Sequence, residues 1–251
     1  MIVDVHCHAG TGDGLTGPAD TAARLDRYLR RAEVAGIELT VVFPAFHSDY
    51  AAANREVAEI VARHPRRLIG FAMLHPEHDA GRVADLVGTA VEQYGFRGIK
   101  VHRHDARLTR EICEVARQYA LPILYDVMGE VSAVELLATE YPDVTFIIPH
   151  LASFAGDWWA HVAIIDLLVR HPNVYTDTAG VRHFDYLADA VRRAGPHKVL
   201  FGSDGPFLHP GLELFKVRLL GLSPPDQALI EGGNTVQMLG IAQPRPLALR
   251  S

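Results

Sequence analysis

Cysteine is nearly absent from this chain: two residues in 251, Cys7 and Cys113, far apart and outside any Cys-x-x-Cys pair. That scarcity excludes a disulfide framework and suits a reducing compartment. Long apolar runs are missing too, and none approaches the length needed to span a bilayer. The first strand-like run starts at residue 2 with no charged segment or cleavage signal ahead of it, so a cytoplasmic address is the expectation. Basic charge is in deficit, with 24 Lys and Arg against 30 Asp and Glu and a net charge of −6. Without a basic run there is no electrostatic footprint for nucleic acid or anionic lipid, which leaves a small molecule as the expected partner. No Gly-x-Gly-x-x-Gly follows the first strand, and Gly10-Thr11-Gly12-Asp13-Gly14 lacks the Gly-Lys-Ser/Thr of a phosphate-binding loop. That loop reads as a mobile cover over a site.

Apolar residues make up 49% of the chain, enough for a sizeable core. Strand-like runs fall near 2–8, 39–45, 68–74, 98–102, 122–127, 144–150, 174–178 and 199–204. Helical spacing fills the intervals near 20–35, 51–63, 79–94, 109–120, 132–140, 159–170 and 184–194, with later candidates at 211–220 and 225–239. Asp79 and Ser132 stand where N-caps are expected. Eight strand–helix units in about 250 residues is the arithmetic of a distorted (β/α)8 TIM barrel. A doubly wound open sheet is the runner-up, disfavoured by the missing glycine fingerprint. The expected organisation is one barrel domain over 1–241 and a frayed tail over 242–251. Of the fourteen histidines, His64, His171 and His197 follow helical patterns and suit helix C-termini.

Barrel chemistry collects at the C-terminal strand ends. Ile2-Val3-Asp4-Val5-His6-Cys7-His8 puts His6 and His8 on one face and Cys7 on the other, toward the helices. Two neutral imidazoles there form half of a metal site, the alternative being a polar strand end satisfied by loop carbonyls. Lys100 and His102 share a face on the fourth strand, while Asp126, His150 and Asp204 end the fifth, sixth and eighth. Lys100 has Asp126, Asp4 or Asp204 as candidate ion-pair partners. A carboxylate such as Asp204 after an apolar strand is costly without a cation, although it could instead cap a short helix. Arg103, Arg107, Arg182, His183 and His209 lie in the following loops and offer cations to an anionic substrate. Phe46, Phe154, Trp158, Trp159, Phe184 and Phe207 also lie in or beside those loops. Adjacent Trp158 and Trp159 cannot both face inward on one element, which makes one of them an interface candidate.

The ordered set of His-x-His on strand 1, Gly98-Ile99-Lys100 on strand 4, His150 on strand 6, Gly202-Ser203-Asp204 on strand 8 and Gly233-Asn234 near the end resembles the amidohydrolase superfamily. It is most similar to the amidohydrolase-2 branch, which includes non-oxidative decarboxylases related to aminocarboxymuconate semialdehyde decarboxylase. The resemblance implies a metal-dependent enzyme in which His6, His8 and Asp204 are ligands and His150 is a ligand or a catalytic imidazole. Most members carry a His at the end of strand 5, where this chain has Asp126. That residue either completes the shell through oxygen or leaves it short of a ligand. Zinc is the expected metal, with manganese or magnesium favoured if Asp126 joins. One metal with an unmodified Lys100 is expected, although binuclear relatives carry a carboxylated Lys on this strand. Catalytic roles then fall to Asp204, His150 and Lys100, and substrate contacts to His102, Arg103, Arg182 and His209. Hydrolysis of a C–N or C–O bond is the first reading and decarboxylation of an unsaturated or aromatic acid the second. A silent barrel acting as a binding module is the reading from another class, and a homodimer is the default assembly.

Overall fold

In a computed structural model describing residues 1–14 and 22–241, apolar β-branched runs become parallel strands and the amphipathic intervals become helices. The strands are β1 Ile2–Ala9, β2 Ile37–Pro44, β3 Leu68–Gly70, β4 Ala72–Met73, β5 Ile99–His102, β6 Ile123–Asp126, β7 Phe146–Ile148, β8 Val174–Asp177 and β9 Val199–Leu200. Two parallel ladders, β1-β2-β3 and β4 through β9, carry them. Two seams join the ladders into a ring. At one, Phe71 interrupts a single barrel strand into β3 and β4 while its N–H still donates to Val42 O at 2.9 Å. At the other, the N–H groups of Val5 and His8 donate to Phe201 O and Gly205 O just beyond β9, at 2.9 and 2.6 Å. The result is the (β/α)8 barrel in one domain. Phe71 at the first seam needs Gly98 beside it, because a Cβ there would lie 2.4 Å from the Phe71 ring.

The helices are α1 Leu25–Ala35, α2 Tyr50–Arg63, α3 Val83–Glu92, α4 Arg110–Gln118, α5 Val131–Glu140, α6 Trp158–Arg170, α7 Phe184–Ala194, α8 Pro210–Leu219, α9 Pro224–Ala228 and α10 Asn234–Met238. Asp49, Thr109, Asp157 and Ser223 cap α2, α4, α6 and α9 through their side chains. The expected caps Asp79 and Ser132 do neither job. Asp79 sits in a turn ahead of α3, where its carboxylate accepts from His75 N and from Arg82. Ser132 is already inside α5. The single helix expected over 225–239 is divided, with a π-helical turn at Leu229–Gly233 between α9 and α10. Gly232 in that turn passes so close to β1 that a Cβ would meet Met1 O at 2.5 Å.

Val5, Val41, Phe43, Phe71, Leu124, Ile147 and Leu200 fill the barrel floor. A larger layer, including Cys7, Tyr28, Val57, Ile112 and Ile164, packs strands against helices. Simple alternation fails on β1. A register shift between Asp4 and Cys7 turns Asp4 away from the histidine face, and its carboxylate accepts from Tyr28 Oη of α1 at 2.6 Å. Asp4 also accepts from Ser203 N at 2.9 Å and so fixes the segment leading to Asp204. Burial, working against these hydrogen bonds, pushes the Asp4 carboxyl up to about 7. Among the described residues no helix is long and apolar enough to cross a membrane. The tail expected over 242–251, and residues 15–21 of the stretch ahead of α1, lie outside the described residues.

Candidate metal centre

Three imidazoles converge at the C-terminal mouth, and each is held the same way. His6 donates Nδ1–H to Asp177 Oδ2 at 2.8 Å, His8 to Pro44 O at 3.0 Å, and His150 to Ala179 O at 2.7 Å. Carbonyl and carboxylate oxygens only accept, so the Nδ1 hydrogens are fixed and the Nε2 atoms carry lone pairs when the rings are neutral. Asp204 Oδ1 lies 3.5 Å from both His6 Nε2 and His8 Nε2. His6 Nε2 is buried and has no hydrogen-bond partner among the described residues. The ligand atoms of His6, His8 and Asp204 all lie within 4.8 Å of one another. Donors about 2.0–2.1 Å from one tetrahedral zinc stand about 3.3 Å apart, so the observed spacing fits a divalent ion.

The backbone is bent to present these groups. His150 and Asp204 adopt left-handed conformations, φ 59° and 54°. A non-glycine residue held there costs about 1–3 kcal/mol, which surrounding contacts must offset. Asp177 accepts His150 N at 3.0 Å, and Asp4 holds Ser203. Gly202 completes the fit, since a Cβ would sit 3.0 Å from His6 Cβ and 3.1 Å from the Asp177 carboxyl carbon.

Burial dominates the electrostatics of His6, pulling it down to about 4 against the attraction of Asp177, so the ring is neutral at pH 7. Burial raises the Asp204 carboxyl, but the nearby His8, His6 and His150 rings outweigh it and set it at about 2. His150 loses protons to burial and regains them from Asp126, Asp177 and Asp204, ending raised to about 9. Lys100 is fully buried, with Nζ 5.0 Å from the Phe43 ring centroid and without a hydrogen-bond partner among the described residues; burial lowers its pKa against the pull of Asp126, Asp177 and Asp204.

Asp126 stands beside the cluster. Its Oδ2 is 3.1 Å from His102 Nε2 and 3.5 Å from His150 Nε2, while Oδ1 accepts from Met128 N. Among the described residues it belongs to neither of the two three-ligand groups, His6–His8–Asp204 and His6–His150–Asp177. His102 accepts His104 N on Nδ1, which leaves its Nε2–H to donate to Asp126. Of the loop cations, Arg103 is engaged with Glu130 through two 2.8 Å bonds, and Arg107 joins the same carboxylate. Arg182 is exposed and lies over Phe154, 5.3 Å from its centroid. His209 is not brought to the cluster. It caps α8 and lines an outer groove of about 420 Å³ with Arg27, Arg30 and Arg31.

Three phenylalanines rim the imidazoles: Phe46 on His102, Phe154 on His150 and Phe207 on His8, with centroids 4.8, 5.1 and 5.3 Å apart. Trp158 and Trp159 stack on each other at 3.8 Å and are both exposed, so neither faces inward. Asp177 is the residue that strand-end reasoning missed. The signal was present, since Val174-Tyr175-Thr176-Asp177 ends an apolar strand in an acid just as the run to Asp204 does.

A family model described as Amidohydrolase matches residues 3–241. No curated protein matches the chain in sequence. Among solved structures, an amidohydrolase from Burkholderia multivorans superposes with a TM-score of 0.78 at 15% identity, covering 96% of this chain and 99% of that one. A dihydroxybenzoic acid decarboxylase from Polaromonas, with bound manganese and 2-nitroresorcinol, gives 0.73 at 18% identity over 98% and 99%. A 4-oxalomesaconate hydratase from Rhodopseudomonas palustris gives 0.72 at 19% identity over 96% of each chain. Likeness at such identity shows the fold.

Proposed function

The chain belongs to the amidohydrolase family, an enzyme family that works with metal ions, and from that premise we propose that it hydrolyses a C–N or C–O bond in a small organic acid. The observation that carries this reading is the shared orientation of His6 and His8, each with Nδ1 donated to the protein and Nε2 turned to Asp204 Oδ1. His6, His8 and Asp204 would hold one zinc ion, since two nitrogens and an oxygen with an open position are a zinc donor set. Bound there, the ion would supply Lewis acidity and bring a water toward ionisation near neutral pH.

The chain's own groups do the rest. Asp204, held ionised, accepts the proton of the attacking water and returns it to the leaving group. His150 as imidazolium, with Lys100 behind it, stabilises the developing oxyanion. Asp126 keeps His150 charged and fills the place beside it, which supports its role as partner to that imidazole over the role of ligand. Arg182 at the rim, with Phe46, Phe154 and Phe207, receives the substrate's carboxylate and apolar body; His102 supports Asp126 from the other side. The buried, unpaired Cys7 and Cys113 suit a reducing cytoplasm, and the exposed Trp158–Trp159 pair suits the face of a homodimer.

One observation favours decarboxylation as a second reading. An imidazolium at His150 is a proton donor suited to a carbon that has lost CO₂. Zinc-loaded protein assayed against esters, lactones, amides and unsaturated carboxylates, with CO₂ detection, separates the two. Product without CO₂ and at least 10³-fold loss in Asp204→Asn is expected. CO₂ release would select the second reading, and full turnover in Asp204→Asn would remove that residue from the mechanism.

A further inference from the structure

Asp177 has its two oxygens committed to different partners. Oδ2 accepts from His6 Nδ1 at 2.8 Å, and Oδ1 accepts from the backbone N–H groups of His150 and Ala179, both at 3.0 Å. It is fully buried at the end of β8, between the strand that carries His6 and the turn that carries His150. Its 2.8 Å approach to His6 is shorter than the about 3.3 Å between two donors on one ion, so the contact is a hydrogen bond. His6 bridges Asp177 on Nδ1 and Asp204 on Nε2.

We infer that Asp177 is the positioning residue of the metal centre: it fixes His6 as the Nδ1–H tautomer, leaving Nε2 free to ligate, and the same carboxylate anchors the turn that aims His150. The inference rests on the metal reading above. A neutral imidazole has one hydrogen, and the group facing Nδ1 decides which nitrogen keeps it. Only an acceptor facing Nδ1 leaves Nε2 with its lone pair. Only a carboxylate accepts on both sides at once, as the two backbone amides and His6 together require. Gly202 leaves room for the pair, with the Asp177 carboxyl carbon 3.1 Å from where a Cβ would stand.

Asp177→Asn tests this with nearly unchanged shape. The amide has one accepting oxygen, which the two backbone N–H groups claim, so its NH₂ faces His6 Nδ1. The imidazole hydrogen then moves to Nε2, the nitrogen needed for the metal. In long-range ¹H–¹⁵N spectra of metal-free protein, His6 Nε2 is expected to change from an unprotonated to a protonated signal. Zinc affinity by calorimetry is expected to fall about 10–100-fold, with circular dichroism unchanged. An Asn variant that keeps the Nδ1–H tautomer and binds zinc within about threefold of wild type overturns the inference. If the variant does not fold, the wild-type spectrum still decides. A His6 ring protonated on Nε2 in metal-free protein contradicts the assignment. Wild-type protein that takes up no divalent ion sinks the metal reading instead, and the tautomer spectrum then stands as a separate result.

Discussion

Lys100 is the residue whose placement demands most of the fold. An ammonium without a hydrogen bond inside a barrel is expensive, and a fold keeps such a group where its charge or amine is used. Lys100→Met preserves the stem and removes the polar end. Its melting temperature is expected to equal or exceed that of wild type, while turnover on the substrate found by the panel falls about 10²-fold. Unchanged turnover would make Lys100 a structural residue. The site was largely readable at this scale because strand ends point into one mouth. His6, His8, Lys100, His102, Asp126, His150 and Asp204 all arrive there or beside it. His209 did not, because the chain after β9 turns outward and spends that imidazole on capping α8. Asp177 went unseen because a carboxylate that serves another side chain leaves no mark in sequence beyond its position at a strand end.

Elements were readable from periodicity, but their details depended on tertiary contacts. Strands and helices fall where alternation and 3.6-residue spacing place them, yet Asp4 departs from the face its parity assigns. A β-bulge adds a residue without altering composition. Helix starts show the same limit, since Asp79 and Asp157 are both acids ahead of helical runs and only Asp157 bonds the first turn. Asp157→Ala is therefore expected to lower stability by about 1 kcal/mol in urea denaturation, and Ser132→Ala to stay within about 0.5 kcal/mol. Equal losses would mean that the cap assignment of α6 or α5 is wrong.

For the whole molecule, eight parallel units predict a barrel, but closure is a property that no local pattern carries. It depends on close approaches such as Phe71 over Gly98. Gly98→Ala is expected to lower stability by about 1–3 kcal/mol, because the barrel wall must shift to admit one methyl group. A melting temperature equal to wild type would show that the seam yields freely. Closure is also what brings β1 beside the chain after β9, and so sets His6 and His8 against Asp204. A metal ion held by these three residues depends on that meeting, and metal stoichiometry reads it out. Protein prepared without chelator and titrated with Zn²⁺ is expected to bind one equivalent, with binding lost in Asp204→Asn and in His8→Ala. Well under one equivalent in wild type, restored by neither Zn²⁺ nor Mn²⁺, would contradict it.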